Sequence, residues 1–216
     1  MNANTSRNNK TRLAVNFSKY FKSFFHPRIE LHVLPGGRAP ERKTKGAIGY
    51  DAYLRAIVSD SEMDKRNPNL RNLMFDFENM PKDPKIRKRI HWVRNGKGRE
   101  MVYRMRPHES VLVGIGFVTA MPFPLFYWVA PRSGLASRWG ITVTNAPGTV
   151  DPDYRGEAGV LVYNRNRRCF DLKRNMRIAQ TIFQWAIIPE ITIVSRYDKL
   201  SNTGRGAGGF GSTGLR

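Results

Sequence analysis

The 216-residue chain carries 37 Lys and Arg against 17 Asp and Glu, a net charge of +20, and has a single cysteine, Cys169. That length buries one good core, and the charge favours anionic partners such as nucleotides, nucleic acid or acidic membrane. One cysteine excludes an internal disulfide framework, no apolar run reaches the roughly 18 residues of a membrane span, and no secretory pattern opens the chain; the expectation is an intracellular, cytoplasmic protein.

Residues 1–29 hold six basic residues and no acid. Leu13, Phe17, Tyr20, Phe21, Phe24 and Phe25 recur at helical spacing, with Arg12, Lys19 and Lys22 off that stripe and Pro27 as a stop. This predicts a basic amphipathic helix, able to dock on its own protein, lie on a membrane surface, bind a partner, or serve as a mitochondrial or other organellar targeting segment. GYDA (49–52) then places Asp51 after a glycine. Residues 61–106 hold thirteen basic and six acidic residues, and inside them IHWVR (90–94) and REMVYRM (99–105) alternate across NGKG, with Asn95-Gly96 a hairpin signal. A basic, aromatic-bearing hairpin suits nucleic acid; a charge run is also simply a solvated face.

From residue 110 onward the chain reads as short strands. SVLVGIGFVTA (110–120), GITVTNA (140–146), AGVLVYN (158–164), RIAQTIFQWAII (177–188) and ITIVS (191–195) are separated by Pro, Gly, Asn and Asp, a pattern of sandwiches, barrels and jelly rolls. Between them, APRSGLA (130–136) offers Arg132, whose guanidinium can fork onto phosphate oxygens, and Ser133 and Gly134, a hydroxyl and an unobstructed N–H. NAPGTVDPDYRGE (145–157) packs Asp151, Asp153 and Glu157 beside Tyr154, either as turn-forming acids or as a tight turn reading a base edge. RIAQ adds Arg177 and Gln180. The chain closes on GRGAGGFGSTG (204–214), six glycines in eleven residues, with Arg205 before them and Ser212 and Thr213 after. Such a segment is a frayed tail or an anion cradle.

GAIGYDA (46–52), APRSGLA, NAPGTVDPDYRGE, RIAQTIF and RGAGGFGSTG resemble, in order and in number, the five motifs of the trimeric deoxyuridine triphosphatases, the dUTPases. The resemblance runs from about Leu34 to the C-terminus, apart from the basic insertion 61–106; Ala52 stands where that family commonly has leucine. It implies an all-β, dUTPase-like jelly roll carrying the N-terminal amphipathic helix and the basic hairpin insertion. The organisation expected is a basic extension over 1–29, a β domain over 30–203, and a glycine-rich arm over 204–216 that closes over the active site.

The implied activity is hydrolysis of dUTP to dUMP and pyrophosphate by a Mg²⁺-assisted homotrimer, which supplies dUMP for thymidylate synthesis and keeps uracil out of DNA. By match to the motifs, Asp151 activates the attacking water, and Asp51 and Gln180 hold the waters of Mg²⁺. Arg132, Ser133, Gly134, Arg205, Gly208, Gly211, Ser212 and Thr213 take the phosphates, and Gln180 also faces the substrate. Asn145 and Gly148 read the uracil edge, Tyr154 lies against the deoxyribose, and Phe210 covers the base. The alternatives are a dUTPase-like structural or nucleic-acid-associated protein, docked through 1–29 and 61–106 onto nucleic acid, a membrane surface or a protein assembly, and a dCTP deaminase. The deaminases share the fold but need a glutamate to activate water, where this chain has Asp151.

Overall fold

The computed structural model describes residues 25–96 and 98–209. The predicted N-terminal helix lies outside them except for Phe25, as do Phe210 and everything after it. The described residues form fourteen strands and two short helices. The first strands are β1 (Glu30–Val33), β2 (Tyr50–Tyr53), β3 (Ala56–Met63) and β4 (Arg71–Phe75), followed by helix α1 (Pro84–Arg87) and the strands β5 (Ile90–Asn95) and β6 (Gly98–Met105). Next come β7 (Ser110–Gly114), β8 (Phe117–Ala120), β9 (Leu125–Ala130), helix α2 (Ser133–Trp139), β10 (Ile141–Val143), β11 (Gly148–Val150), β12 (Gly159–Asn164), β13 (Phe170–Leu172) and β14 (Arg177–Trp185).

Four antiparallel sheets result: β10-β12-β7-β3-β4, β11-β9-β14-β2, β13-β6-β5 and β1-β8. Alternation along the strands decides which face turns inward. In β9, Leu125, Tyr127 and Val129 are buried while Phe126, Trp128 and Ala130 are not; in β12, Val160, Val162 and Asn164 are the buried set. The inward rows meet in one hydrophobic core with Phe75, Phe117, Ile141 and Ile178. Burying each such large side chain contributes about 2–3 kcal/mol.

The run 110–120 is two strands because Gly116 takes a left-handed φ of +80°, and a Cβ there would come within 2.6 Å of the Gly37 Cα. The hairpin at 90–105 forms with Asn95 opposite Gly98. The stretch 61–106 also contributes inward side chains, since Phe75, Phe77, Met101, Tyr103 and Met105 belong to the core.

One expected strand is absent. ITIVS (191–195) makes no strand among the described residues, and β14 stops at Trp185 rather than running to 188. The sequence alternates as a strand should, but Ile191 and Ile193 are 82% and 91% exposed and no ladder pairs them. Pro189 just upstream removes a backbone donor.

The compact unit that contains the sheets ends at Ala186. In the second unit, the described residues from Ile187 form one 3-10 turn at Tyr197–Lys199 and a tight turn near residue 206.

Candidate active site

Strand β14 runs between β9 and β2, and its Gln180 pairs with Ala130 on one side and Asp51 on the other. That register brings three of the five motifs to one spot. Asp51 accepts hydrogen bonds from Arg132 Nε at 2.7 Å and from Arg177 Nη1 at 3.0 Å. Arg132 Nη1 also donates to the Arg177 carbonyl at 3.2 Å, which fixes the plane of the guanidinium. Gln180 Nε2 donates to the Pro131 carbonyl at 3.0 Å, and its Oε1 lies where a Cβ on Gly49 would fall. The backbone bends at Arg132 into α2, so Ser133 and Gly134 follow directly and are exposed; a Cβ on Gly134 would meet open space.

The third motif builds a second cluster. Gly148 of β11 pairs with Val129 of β9 and packs on Asn145, whose Nδ2 would lie 3.2 Å from a Cβ at that glycine. Asn145, Gly148, Asp151 and Tyr154 line one cavity of about 280 Å³. Asp151 opens a turn in which Tyr154 N donates back to its carbonyl at 3.3 Å. The Tyr154 hydroxyl donates to the Glu157 carbonyl at 3.1 Å, and Arg155 Nη1 donates to Pro152 O at 2.7 Å. Tyr127, which sits opposite Val150 in the ladder, is buried, and that burial pushes its phenol far above the ordinary tyrosine range, so it stays neutral.

Arg132 and Arg177 line a cavity of about 710 Å³ with Trp139 and Phe170, whereas Asp151 lines the smaller one. Arg205, in the second unit, turns onto its own backbone: Nε donates to the Gly208 carbonyl at 2.8 Å, and Gly208 N donates back to the Arg205 carbonyl at 3.0 Å. Phe210, Gly211, Ser212 and Thr213 lie outside the described residues.

Sequence reasoning left three groups of this region without a role. Arg177 was visible on its strand, yet its hold on Asp51 depends on the β2–β14 register. Arg71, from the basic stretch, lines the Asp151 cavity. Arg55 and Glu157 form a buried ion pair beneath the third motif; a glutamate following two turn-forming aspartates gave only the weak signal of one more turn acid.

Among the described residues no group of three or more His, Cys, Asp or Glu side chains could cage a metal. A pair of hard oxygen donors does stand on one face, since Asp51 and Gln180 are ladder partners. That suits a cation held mostly by water and by a ligand's phosphates. Among the described residues no helix is long and apolar enough to cross a membrane.

The chain is similar to known proteins in both sequence and fold. Residues 100–214 match the dUTPase family model. The deoxyuridine 5′-triphosphate nucleotidohydrolase of Picosynechococcus sp. is 44% identical over 108 residues, which cover 50% of this chain and 74% of the relative. That of Nautilia profundicola is 46% identical over 110 residues, 51% of this chain and 75% of the relative. Among solved structures, a variant of the Staphylococcus bacteriophage 80alpha dUTPase with dUpNHpp superposes with a TM-score of 0.60 at 16% identity, over 88% of this chain and 99% of that one. A variant of the dUTPase from phage phi11 of S. aureus, described with a structural Mg(II) ion, gives 0.54 at 14% identity over 80% and 99%. The fold matches those structures, the jelly-roll expectation is borne out, and the family match spans more than half of the sequence: this chain belongs to the dUTPase family.

Proposed function

We propose that the protein hydrolyses dUTP to dUMP and pyrophosphate, and that it works as a homotrimer. The observation that carries this reading is the register that seats Gln180 between Ala130 and Asp51. It brings Arg132, Asp51 and Gln180 together, a group read here as phosphate-facing, and Arg132 lines a different cavity from the one shared by Asn145, Gly148, Asp151 and Tyr154. In this reading the phosphate-binding group and the base-binding cavity of one chain are each completed by a neighbouring copy.

In this reading Asn145 and Gly148 hydrogen-bond the uracil edge, and a cytosine there leaves buried groups unpaired, which gives strong rejection. The Tyr154 ring crowds out a ribose hydroxyl. Asp151 accepts the proton of the water that attacks the α-phosphorus in line, and Arg132, Ser133 and Gly134 orient the phosphates. Mg²⁺, held through its waters by Asp51 and Gln180, neutralises charge on the phosphates. The arm 204–216 adds Arg205, Gly208, Gly211, Ser212 and Thr213 to the phosphates and Phe210 over the base, excluding water. The chain thus divides into the extension 1–29, the β domain 30–203 with its basic stretch 61–106, and the arm.

The test is a turnover assay of the full chain on dUTP, dCTP, dTTP and UTP with Mg²⁺. Pyrophosphate and dUMP from dUTP alone are expected; release of ammonia, or no turnover, overturns the reading.

A further inference from the structure

We propose that Arg55 and Glu157 are a positioning pair that fixes the Tyr154 ring and thereby sets discrimination between deoxyribose and ribose nucleotides. This rests on the assignment of Tyr154 to the sugar given above. The Glu157 and Arg55 side chains are only 2% and 9% exposed. Arg55 Nε donates to Glu157 Oε1 at 2.8 Å, and the terminal guanidinium nitrogen Nη2 reaches Oε2. Gly116 N donates to the same Oε1 at 2.7 Å. The carboxylate enters this space because Gly114 has no side chain: a Cβ there would overlap it.

Glu157 is also the residue whose main-chain carbonyl receives the Tyr154 hydroxyl. One residue therefore has its side chain locked in the core and its backbone holding the phenol. The ring folds back over Gly156, where a Cβ would overlap the Tyr154 hydroxyl. Tyr154 itself is 41% exposed, so packing alone holds it weakly. A buried ion pair often stabilises no better than a well-packed apolar pair would, so the contribution assigned to this one is geometric. Arg55 stands four residues after Asp51, and Glu157 six after Asp151. The pair thus ties the link that follows the first motif's strand to the end of the third motif. A ring that rejects a single extra hydroxyl must be held to within a fraction of an ångström.

The experiment compares kcat/KM on dUTP, UTP and dCTP for three full-length proteins. These are the unaltered chain, Tyr154→Phe, and the double variant Arg55→Met with Glu157→Gln. The double variant strands no buried charge, and the glutamine keeps an acceptor for Gly116 N. The dUTP-to-UTP ratio is expected to fall about fivefold in Tyr154→Phe and about tenfold in the double variant, as losing one to two hydrogen bonds' worth of positioning implies. The dUTP-to-dCTP ratio should stay within about twofold, because Asn145 and Gly148 are untouched.

The unaltered chain is assayed first. If it does not cleave dUTP, the proposed function fails. If it does, the positioning pair is overturned when the dUTP-to-UTP ratio holds in both variants, or when both ratios collapse together as in general loosening. Should circular dichroism show the double variant unfolded, Tyr154→Phe decides alone, and an unchanged ratio in it overturns the proposal.

Discussion

Arg132 and Asp51, 81 residues apart in sequence, meet with Nε 2.7 Å from Oδ1 and with side chains 24% and 12% exposed. The arginine assigned to phosphate is oriented by the carboxylate assigned to the waters of Mg²⁺, so each depends on the other. Arg132→Lys keeps the charge but loses the planar fork that reaches Asp51, the Arg177 carbonyl and a phosphate together. Steady-state kinetics should show kcat/KM on dUTP lowered about ten- to a hundredfold, with the melting temperature little changed.

Asp151→Asn preserves size while removing the proton acceptor. kcat should fall about a hundred- to ten-thousandfold, with nucleotide affinity retained by calorimetry. Normal turnover in this variant assigns the water to another group.

Two glycine substitutions should part stability from activity. Gly114→Ala drives a methyl into the Glu157 carboxylate and should cost about 2–4 kcal/mol, read by denaturant unfolding. Gly134→Ala meets only open space in the chain and leaves unfolding unaltered. If that N–H takes a phosphate, the same methyl raises KM for dUTP; an unchanged KM removes Gly134 from the site.

Deleting 204–216 removes Arg205 and the glycine-rich N–H groups but little apolar area. The truncated protein should melt as the full chain does while its turnover collapses. Amide exchange in residues 204–216 of the intact protein should slow when a non-hydrolysable dUTP analogue and Mg²⁺ are added.

The candidate site residues are legible because each motif is local: Asp51, Arg132, Asp151 and Gln180 each stand in a short recognisable run. Strand β12 was legible because one face is buried and the alternation records it. ITIVS carries the same alternation and makes no strand, because a strand also needs an edge to pair with and sequence period says nothing of edges. The pair Arg55 and Glu157 was illegible for the opposite reason. Its members are 102 residues apart, and each looks locally like an ordinary surface charge. Phe75, Phe77 and Met101 were hidden in the charge of 61–106, where most of the basic side chains face out while these three face the core.

The bare Cα of Gly114 imposes an order on how this sequence can drift. A lineage with any side chain at 114 has no room for the Glu157 carboxylate, so glycine there must come first and glutamate second; the reverse path passes through a clashing intermediate. Once Glu157 and Arg55 are in place, position 114 is closed to change until the glutamate is given up. A combinatorial library that varies 114 and 157 together should return glutamate at 157 only on a glycine background, a ratchet written in two codons 43 positions apart.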